Sequence, residues 1–342
     1  MFDPSPVEIT AVGLGSAGSK IVSLLSKESL LVDRFAYVSC DPADFSRVEG
    51  GDRILIESPV DQKLTPAMVR GLAFSSHSRI KATLMGSKVV FVVAGLGGAT
   101  GSGLAPFIAS IANECGATTI GVAVMPFDYE KKMKFYAGVA LRRLRGAARG
   151  VIVVDNDTLM TSSPEDSTLV GLYEAANKEA VKALGSLLSR ASDATVPVGL
   201  NKLLGTVLQE GYSLLGMSSS RSSDKAEEAL AGAVVSIGKL AEAGEASRAV
   251  VVLRGDKSLS ASEVGLAVKR LGAMMNNQEV DVEYCVNYSG SAQLQVSLLA
   301  SGFRSTKFDD YDPLDKILHG KVMDDGMDTS LPYGLEILPP CE

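Results

Sequence analysis

The sequence predicts an α/β fold: a Rossmann-like parallel sheet with helices on both faces, then a long central helix, then a second, smaller α/β domain. Three observations lead to this prediction. Runs rich in Val and Ile alternate with helical stretches through the first 155 residues, a pattern typical of parallel strands joined by crossover helices. Two of these runs lead into glycine-rich turns. At 342 residues, the chain is also too long for one small core.

The strands of the first domain are predicted from continuous apolar runs, because a parallel sheet is buried on both faces. The runs are Glu8–Gly13, Phe35–Cys40, Arg53–Ile56, Val89–Ala94, Thr119–Met125 and Val151–Val154. Helical patterns lie between several of them, at Ser19–Leu31, Ala67–Met85 and Lys131–Ala147. Since ligands of such sheets bind at the carboxyl ends of the strands, we expect the functional site at that edge.

The second half of the chain predicts the central helix and the smaller domain. The apolar positions of residues 172–193 fit one long helix that links the domains. Beyond it, strands are expected at Val250–Leu253, Val280–Asn287 and Leu294–Ala300, and helices at Asp224–Ala241 and Ala261–Met275. Ser218–Ser223 is expected to be a polar surface loop. These features divide the chain into 1–171, the helix 172–193, the second domain 194–304 and an acidic, extended tail 305–342.

Composition excludes several classes of protein. Hydrophobic residues make up 46% of the chain, yet no apolar run reaches the roughly 18 residues that a membrane span needs. The N-terminal residues lack the basic and then apolar pattern of a secretion signal, so we expect a cytoplasmic protein. Four scattered cysteines and two histidines do not have the spacing of a metal site, and no metal ligands are predicted. A net charge of −7 disfavours nucleic-acid binding.

The most informative segment is Gly95–Gly103, which follows the predicted strand Val89–Ala94. Five glycines among its nine residues permit positive φ angles and close approach of a ligand to the backbone. An apolar helix is expected to begin after it, near Leu104. Consecutive N–H groups, two hydroxyls and a helix N-terminus form a nest for an anion, and phosphate is the expected ligand.

A second glycine-rich turn, Gly13–Gly18, has the pattern G-x-G-x-x-G between a strand and a helix. By itself it favours a dinucleotide site, with Asp41 placed as the ribose-binding acid of a dehydrogenase. It is not a Walker A loop, because Lys20 lacks the flanking Gly and Ser or Thr. A second phosphate loop at Gly95–Gly103 suits a nucleoside triphosphate better. On these residues alone, both ligand classes stay open.

Taken in order, the motifs resemble those of the tubulin/FtsZ superfamily, over about residues 8–304. Gly95–Gly103 with the following Ala105-Pro106 resembles the signature loop of the FtsZ branch, and Gly13–Gly18 resembles its first phosphate loop. Shorter matches follow in the family's order: Ser39-Cys40-Asp41, Pro126–Glu130, Val154–Asp157, Tyr173 with Asn177, Gly211–Gly216 and Lys225–Ala229. The resemblance implies the tubulin/FtsZ fold, in which 1–171 binds GTP and 194–304 is the activation-type domain.

The resemblance also implies which residues bind the nucleotide. Glu130 is expected to hold the ribose, while Tyr173 stacks on the base and Asn177 hydrogen-bonds it. Lys134 stands where the family usually has an arginine. The full expected set is Gly13, Gly15, Ser16, Ala17, Gly18, Asp41, Gly97, Gly98, Ala99, Thr100, Gly101, Ser102, Glu130, Lys134, Asn156, Tyr173 and Asn177. The implied ligand is GTP or GDP, with room for Mg²⁺ near Asp41 and Asp157.

One segment departs from the family pattern. The resemblance implies that hydrolysis needs an acidic loop, Asn-x-Asp-x-x-Asp, inserted by the next subunit of a filament. Here that loop falls within Ala194–Leu208, which contains no Asp or Glu. One alignment places Pro197, Gly199 and Lys202 at the catalytic positions, and another places Val198, Leu200 and Leu203 there. Asn201 offers at most weak orientation of a water molecule. Loss of a catalytic acid or base costs on the order of 10²–10⁴ in rate, so we expect very slow or absent hydrolysis.

A second departure is the segment Ser58–Pro66, which lacks the glycines of the family's third phosphate loop. Thr65 before Pro66 fits a helix cap instead.

The predicted function is an FtsZ-like cytoskeletal protein that assembles head-to-tail, in cell division or cell shape. The alternative is a non-polymerising nucleotide-binding regulator or a co-assembly partner of an active FtsZ. The apolar Leu335–Pro339 of the tail is expected to bind a membrane-tethering adaptor or to pack on its own domain.

Overall fold

The computed structural model describes residues 8–46, 48–59, 62–160, 168–190, 198–222, 224–289 and 291–312. These residues contain ten strands, each an extended run of apolar or alternating side chains. The strands are β1 (Ile9–Leu14), β2 (Arg34–Ser39), β3 (Asp52–Leu55), β4 (Val89–Gly95), β5 (Thr118–Met125), β6 (Gly150–Asp155), β7 (Tyr212–Ser220), β8 (Arg248–Gly255), β9 (Asp281–Tyr288) and β10 (Leu294–Phe303).

All ten strands form a single sheet in the order β3-β2-β1-β4-β5-β6-β7-β10-β8-β9. From β3 to β7 every pairing is parallel, and only β10 runs antiparallel to its neighbours β7 and β8. The α/β fold is therefore confirmed. The strands of the second half extend the first sheet rather than forming a separate smaller one, because β7 continues the parallel pairing of β6 through Ile152–Ser213 and Val153–Leu214.

Ten helices cover the sheet within the described residues. They are α1 (Gly15–Leu25), α2 (Pro66–Ala73), α3 (His77–Leu84), α4 (Ala99–Glu114), α5 (Lys131–Ala147), α6 (Asn156–Leu159), α7 (Leu169–Leu187), α8 (Leu200–Val207), α9 (Lys225–Gly238) and α10 (Ala261–Met274). None of these described helices combines the length and the apolar character needed to cross a bilayer.

Two apolar cores lie on opposite faces of the sheet, because successive strand residues point to opposite sides. One core includes Val12, Val92 and Leu104 and is covered by α2 to α5 in the first half and by α9 and α10 in the second. The other includes Ala11, Val93 and Leu184 and is covered by α1, α7 and α8. The predicted central helix is α7, which begins at Leu169 and is described as far as its end at Leu187.

The helical stretch predicted as Ala67–Met85 is two helices, α2 and α3. A 3-10 turn at Phe74–Ser76 separates them. The Ser75 hydroxyl donates a hydrogen bond to the carbonyl of Leu72 at 2.8 Å. Serine side chains compete in this way with the helical hydrogen bonds of the backbone, and this accounts for the break.

Two segments expected to be irregular are ordered. Ser218–Ser220 of the predicted surface loop completes β7, because Ser218 and Ser220 pair with Val296 and Leu294 of β10. Residues 305–312, expected at the start of an extended tail, form a packed segment that we call the strap. It contains a 3-10 turn at Lys307–Tyr311 and buries Phe308, which is 1% exposed. The rest of the predicted tail, with Leu335–Pro339, lies outside the described residues.

Candidate functional site

The two glycine-rich turns lie side by side at the carboxyl edge of the sheet. β1 and β4 are parallel neighbours, and Leu14 at the end of β1 pairs with Ala94. Each strand passes into a helix at this edge, α1 beginning at Gly15 and α4 at Ala99. A cavity of about 490 Å³ lies between the turns and α7. The position agrees with the edge expected from the strand and helix pattern.

Close backbone contacts explain the glycines that hold these turns together. A Cβ atom at Gly18 would lie 2.2 Å from the carbonyl oxygen of Val93, and one at Gly101 would lie 2.1 Å from that of Gly95. Both distances are far below a van der Waals contact, so only glycine fits. Gly98 differs, because a Cβ there would meet nothing within 4 Å. Its space is open toward the cavity that it lines.

Both helices present uncapped N-termini to the cavity. No side chain caps α1 or α4, and the predicted helix start near Leu104 is one and a half turns too late, because the glycine-rich turn itself enters the helix at Ala99. The first N–H groups of a helix have no intrahelical partner, and its dipole adds partial positive charge there. Ser102 stabilises the second turn, since its hydroxyl accepts from the N–H of Gly97 at 2.8 Å. Two such termini at one cavity make an anion site.

A second group of residues that line the cavity is aromatic and polar. Tyr173 donates its hydroxyl to Glu130 Oε1, and the N–H of Phe127 donates to Glu130 Oε2 at 2.9 Å. Burial, together with the hydrogen bond to Glu130, raises the pKa of Tyr173, which therefore stays a neutral donor. The amides of Asn156 and Asn177 also line the cavity and are nearly buried. This group of side chains can contact a flat ring and both the donors and the acceptors on its edge.

The charged side chains of the cavity are mostly acidic. Asp41, Asp44 and Glu130 line it, and among the described lining residues Lys20 is the one cation. Asp41 Oδ1 accepts from the N–H of Ala43 at 2.9 Å, and Asp44 Oδ2 accepts from the Ser39 hydroxyl at 2.5 Å. No hydrogen bond or ion pair joins the Lys20 ammonium to another described residue. It is therefore available to a ligand in the cavity.

Comparison with known proteins agrees with this architecture. Residues 8–164 match the family model described as "Tubulin/FtsZ family, GTPase domain". The cell division protein FtsZ of Buchnera aphidicola subsp. Acyrthosiphon pisum is 30% identical over 241 residues, which cover 67% of this chain and 62% of the relative. The match thus spans under two thirds of that relative's length. The chain belongs to the tubulin/FtsZ superfamily.

Solved structures share the fold of this superfamily member along most of the chain. An empty FtsZ dimer from Methanocaldococcus jannaschii superposes with a TM-score of 0.76 at 23% identity, covering 88% of this chain and 89% of the other. CetZ2 from Haloferax volcanii, solved as a GTPgS-bound protofilament, gives a TM-score of 0.71 at 22% identity, covering 92% and 99%. At these identities the likeness shows the fold.

Most residues that the resemblance to the tubulin/FtsZ superfamily indicated lie together at the cavity. Those that line it are Gly15, Ser16, Ala17, Asp41, Gly98, Ala99, Thr100, Gly101, Glu130, Asn156, Tyr173 and Asn177. Four more residues make contacts within the turns without lining the cavity: Gly13, Gly18, Gly97 and Ser102. Lys134 is not part of the lining. Its ammonium pairs with Asp128 Oδ1 at 2.8 Å and lies 4.9 Å from the ring centre of Tyr311.

Sequence reasoning missed several lining residues, above all Lys20, Asp44, Met133 and Val170. Lys20 lies four residues after Ser16, so the two share a face of α1. This spacing becomes a usable signal once α1 is known to start at Gly15 rather than at Ser19. Val170 could not be found in the same way, since only the packing of α7 beside the turns brings it to the cavity.

The described residues of Ala194–Leu208, the segment that replaces the family's acidic loop, lie away from the cavity. Gly199, Asn201 and Lys202 do not line the cavity of their own chain, and Pro197 lies outside the described residues. Val198 and Leu203 are buried in the core. Two nearby carboxylates are paired: Glu283 Oε2 lies 2.5 Å from Lys202 Nζ, and Asp281 Oδ2 lies 3.3 Å from Arg248 Nε.

The segment Ser58–Pro66, expected at the position of the family's third phosphate loop, leads into helix α2. Thr65 caps α2, accepting from the N–H of Met68 at 3.3 Å with Pro66 in the first helical position. None of its described residues lines the cavity, and Val60 and Asp61 are outside the described part. Within the described ranges, no three His, Cys, Asp or Glu side chains are grouped as a metal site.

Proposed function

We propose that this chain binds a guanine nucleotide, GTP or GDP, in the cavity between the two glycine-rich turns. The observation that carries the proposal is the convergence of two uncapped helix N-termini, α1 and α4, on one cavity. Such termini bind phosphate through free N–H groups and the helix dipole. The open space at Gly98 leaves room for phosphate oxygens against the backbone.

The other end of the cavity suits a purine base and its ribose. Tyr173 offers a ring face, and the amides of Asn156 and Asn177 can serve both the carbonyl and the N–H groups of guanine. Glu130 is already engaged by Tyr173 and Phe127, so it would hold a ribose hydroxyl through its remaining lone pairs. With Asp41, Asp44 and Glu130 against Lys20, the cavity favours a polyphosphate that carries Mg²⁺, the ion being held chiefly by phosphate oxygens.

Head-to-tail assembly is the second part of the proposal. Two apolar side chains that line the cavity also face solvent: Val170 is 68% and Met133 42% exposed. An exposed apolar surface of this kind gains from being covered by another protein surface. Two proteins of the same fold were solved as a dimer and as a protofilament. We therefore assign this chain a cytoskeletal, FtsZ-like role in cell division or cell shape, in the cytoplasm.

The third part is that the assembled chain hydrolyses GTP very slowly or not at all. The described residues 198–208 contain no carboxylate, and two acids near them, Glu283 and Asp281, are paired with Lys202 and Arg248. A carboxylate in an ion pair with a basic residue is a weak general base, because the pairing stabilises its ionised form. Filaments that keep GTP would turn over slowly. A chain with an intact cavity and no acidic loop would also serve as a co-assembly partner of an active FtsZ.

The test measures phosphate release and light scattering together, at several protein concentrations with GTP and Mg²⁺. Scattering that rises with GTP while phosphate release stays at background supports all three parts. Nucleotide binding without scattering or sedimentation leaves the non-polymerising regulator. Phosphate release that rises steeply with concentration refutes the slow-hydrolysis proposal, and Glu283→Gln then tests whether that carboxylate acts. No binding of GTP or GDP refutes the proposed function itself.

A further inference from the structure

A buried ion pair joins the strap to the end of β6. Asp155 is fully buried, and its Oδ2 lies 3.0 Å from the ammonium of Lys307. Its Oδ1 has no hydrogen-bond partner among the described residues. Lys307 is therefore the main group that compensates this carboxylate for its loss of water. The contact spans 152 positions of sequence, from the first half of the chain to its last described segment.

Asp155 in turn fixes the backbone that carries Asn156. Its Oδ2 accepts from the N–H of Thr158 at 3.3 Å and so caps α6, while its carbonyl accepts from the Thr158 hydroxyl at 3.0 Å. Asn156, the next residue, lines the cavity.

The strap has anchors of its own, independent of Asp155. Phe308 is buried in the core, and the N–H of Lys307 donates to the carbonyl of Leu240 at 2.8 Å. At the far end Arg142 Nε donates to Asp312 Oδ2 at 2.7 Å. These contacts place the backbone of Lys307 whether or not its side chain meets a carboxylate. The Lys307 side chain is therefore held near the capped turn by the strap backbone. Its effect on that turn can be tested separately from the docking of the strap.

We propose that Lys307 is a positioning residue for the base end of the cavity: by pairing with Asp155 it holds α6, and with it the Asn156 amide, in place for the nucleotide base. This inference rests on the proposed nucleotide binding. Lys307 does not line the cavity, so we infer that it acts through its pair with Asp155 rather than by touching the nucleotide. Without Lys307, the Asp155 carboxylate would be buried without a counter-ion, so it would either become protonated or turn toward water and give up its hydrogen bond to the N–H of Thr158. The Asn156 side chain would then no longer be held in one orientation.

The experiment compares equilibrium affinities for guanine and adenine nucleotides in the full chain. The variants are Lys307→Met, Lys307→Arg, Asp155→Asn and the double variant, with Arg142→Gln as a control that loosens the strap at its other end. Urea unfolding of each variant checks the fold. We expect Lys307→Met to bind GDP about tenfold more weakly, the worth of one well-placed hydrogen bond, while ATP affinity changes little. Lys307→Arg should recover most of the guanine affinity.

Three outcomes would overturn the inference while leaving the proposed function intact. The first is wild-type guanine affinity in Lys307→Met. The second is an equal loss in Arg142→Gln, which would assign the effect to strap docking. The third is that the losses of guanine affinity in Lys307→Met and Asp155→Asn add up in the double variant. If Lys307 acts through Asp155, its replacement should have little further effect once Asp155 is Asn. If Lys307→Met fails to fold, Lys307→Arg and the double variant decide the same question. A wild-type chain that binds no nucleotide refutes the proposed function and the inference together.

Discussion

Gly98→Ala separates nucleotide binding from folding more cleanly than any other change at the cavity. The new methyl group meets nothing within 4 Å in the protein itself. Gly98 is the N-cap of α4 with φ −76°, an angle that alanine adopts freely. The cost in unfolding free energy is therefore limited to the weaker capping by alanine, about 1 kcal/mol or less.

The effect on binding should be much larger. The methyl group occupies the space in which a phosphate oxygen would approach the N–H groups of α4. Losing one hydrogen bond to a charged group costs about 1.5–3 kcal/mol, which corresponds to a roughly ten- to hundredfold weaker affinity. Titration of a fluorescent GDP analogue measures that affinity, and urea denaturation measures the unfolding free energy on the same sample.

Two matched glycine variants complete this experiment. Gly71→Ala in α2 also enters open space, but away from the cavity, so binding should be unchanged and stability equal or about 0.5–1 kcal/mol higher. Gly101→Ala puts a Cβ 2.1 Å from a carbonyl oxygen and should lower stability as well as binding. Wild-type affinity in a folded Gly98→Ala protein would refute the placement of phosphate at α4.

The remaining predictions concern the strap, Asp155 and the thiols. Burial raises the pKa of Asp155 above 3.8, outweighing Lys307, so the folded state holds this proton more tightly than the unfolded state. The unfolding free energy of the wild type should therefore fall relative to that of Asp155→Asn as the pH rises from 3.8 through the raised pKa, as urea titrations across that range would measure. A rise over the same range would mean that the charge of Lys307 lowers the pKa of Asp155 by more than burial raises it. Phe308→Ala should cost about 3–5 kcal/mol of unfolding free energy, because the ring is fully buried; a loss below 1 kcal/mol would mean that the strap is not docked in solution. Burial raises the pKa of Cys285 to about 12, so in the native protein it should react with a thiol reagent far more slowly than the partly exposed Cys115, as mass spectrometry of the labelled peptides would report.

Local patterns in the sequence were enough for the strands and for the edge at which the site lies. The apolar runs predicted β1 to β6 to within one or two residues. The pattern is clearest for β1, β4, β5 and β6, because these strands are buried on both faces of the sheet along nearly their whole length. Lys131–Ala147 coincides with α5. Glycine spacing placed both turns correctly, since close backbone contacts such as that of Gly101 with Gly95 admit no other residue.

What the sequence did not predict depends on contacts between distant segments. Ser218–Ser220 looks like a loop by composition and becomes a strand because β10 pairs with it. Residues 305–312 are acidic, and their order depends on the burial of Phe308 and on the contact of Asp312 with Arg142 of α5, 170 positions away. In each case the partner that decides the structure is invisible to a local pattern.

The strap also determines how the chain would carry a mechanical load. A pull on the chain beyond Asp312 meets the Arg142–Asp312 pair and the backbone contact of Gly138 with Tyr311 before any strand of the sheet is strained. These contacts lie on α5, whose N-terminus stands beside Glu130 at the cavity. Tension at this end of the chain is thus borne first by the helix next to the base end of the site, and strand β10 behind it is shielded.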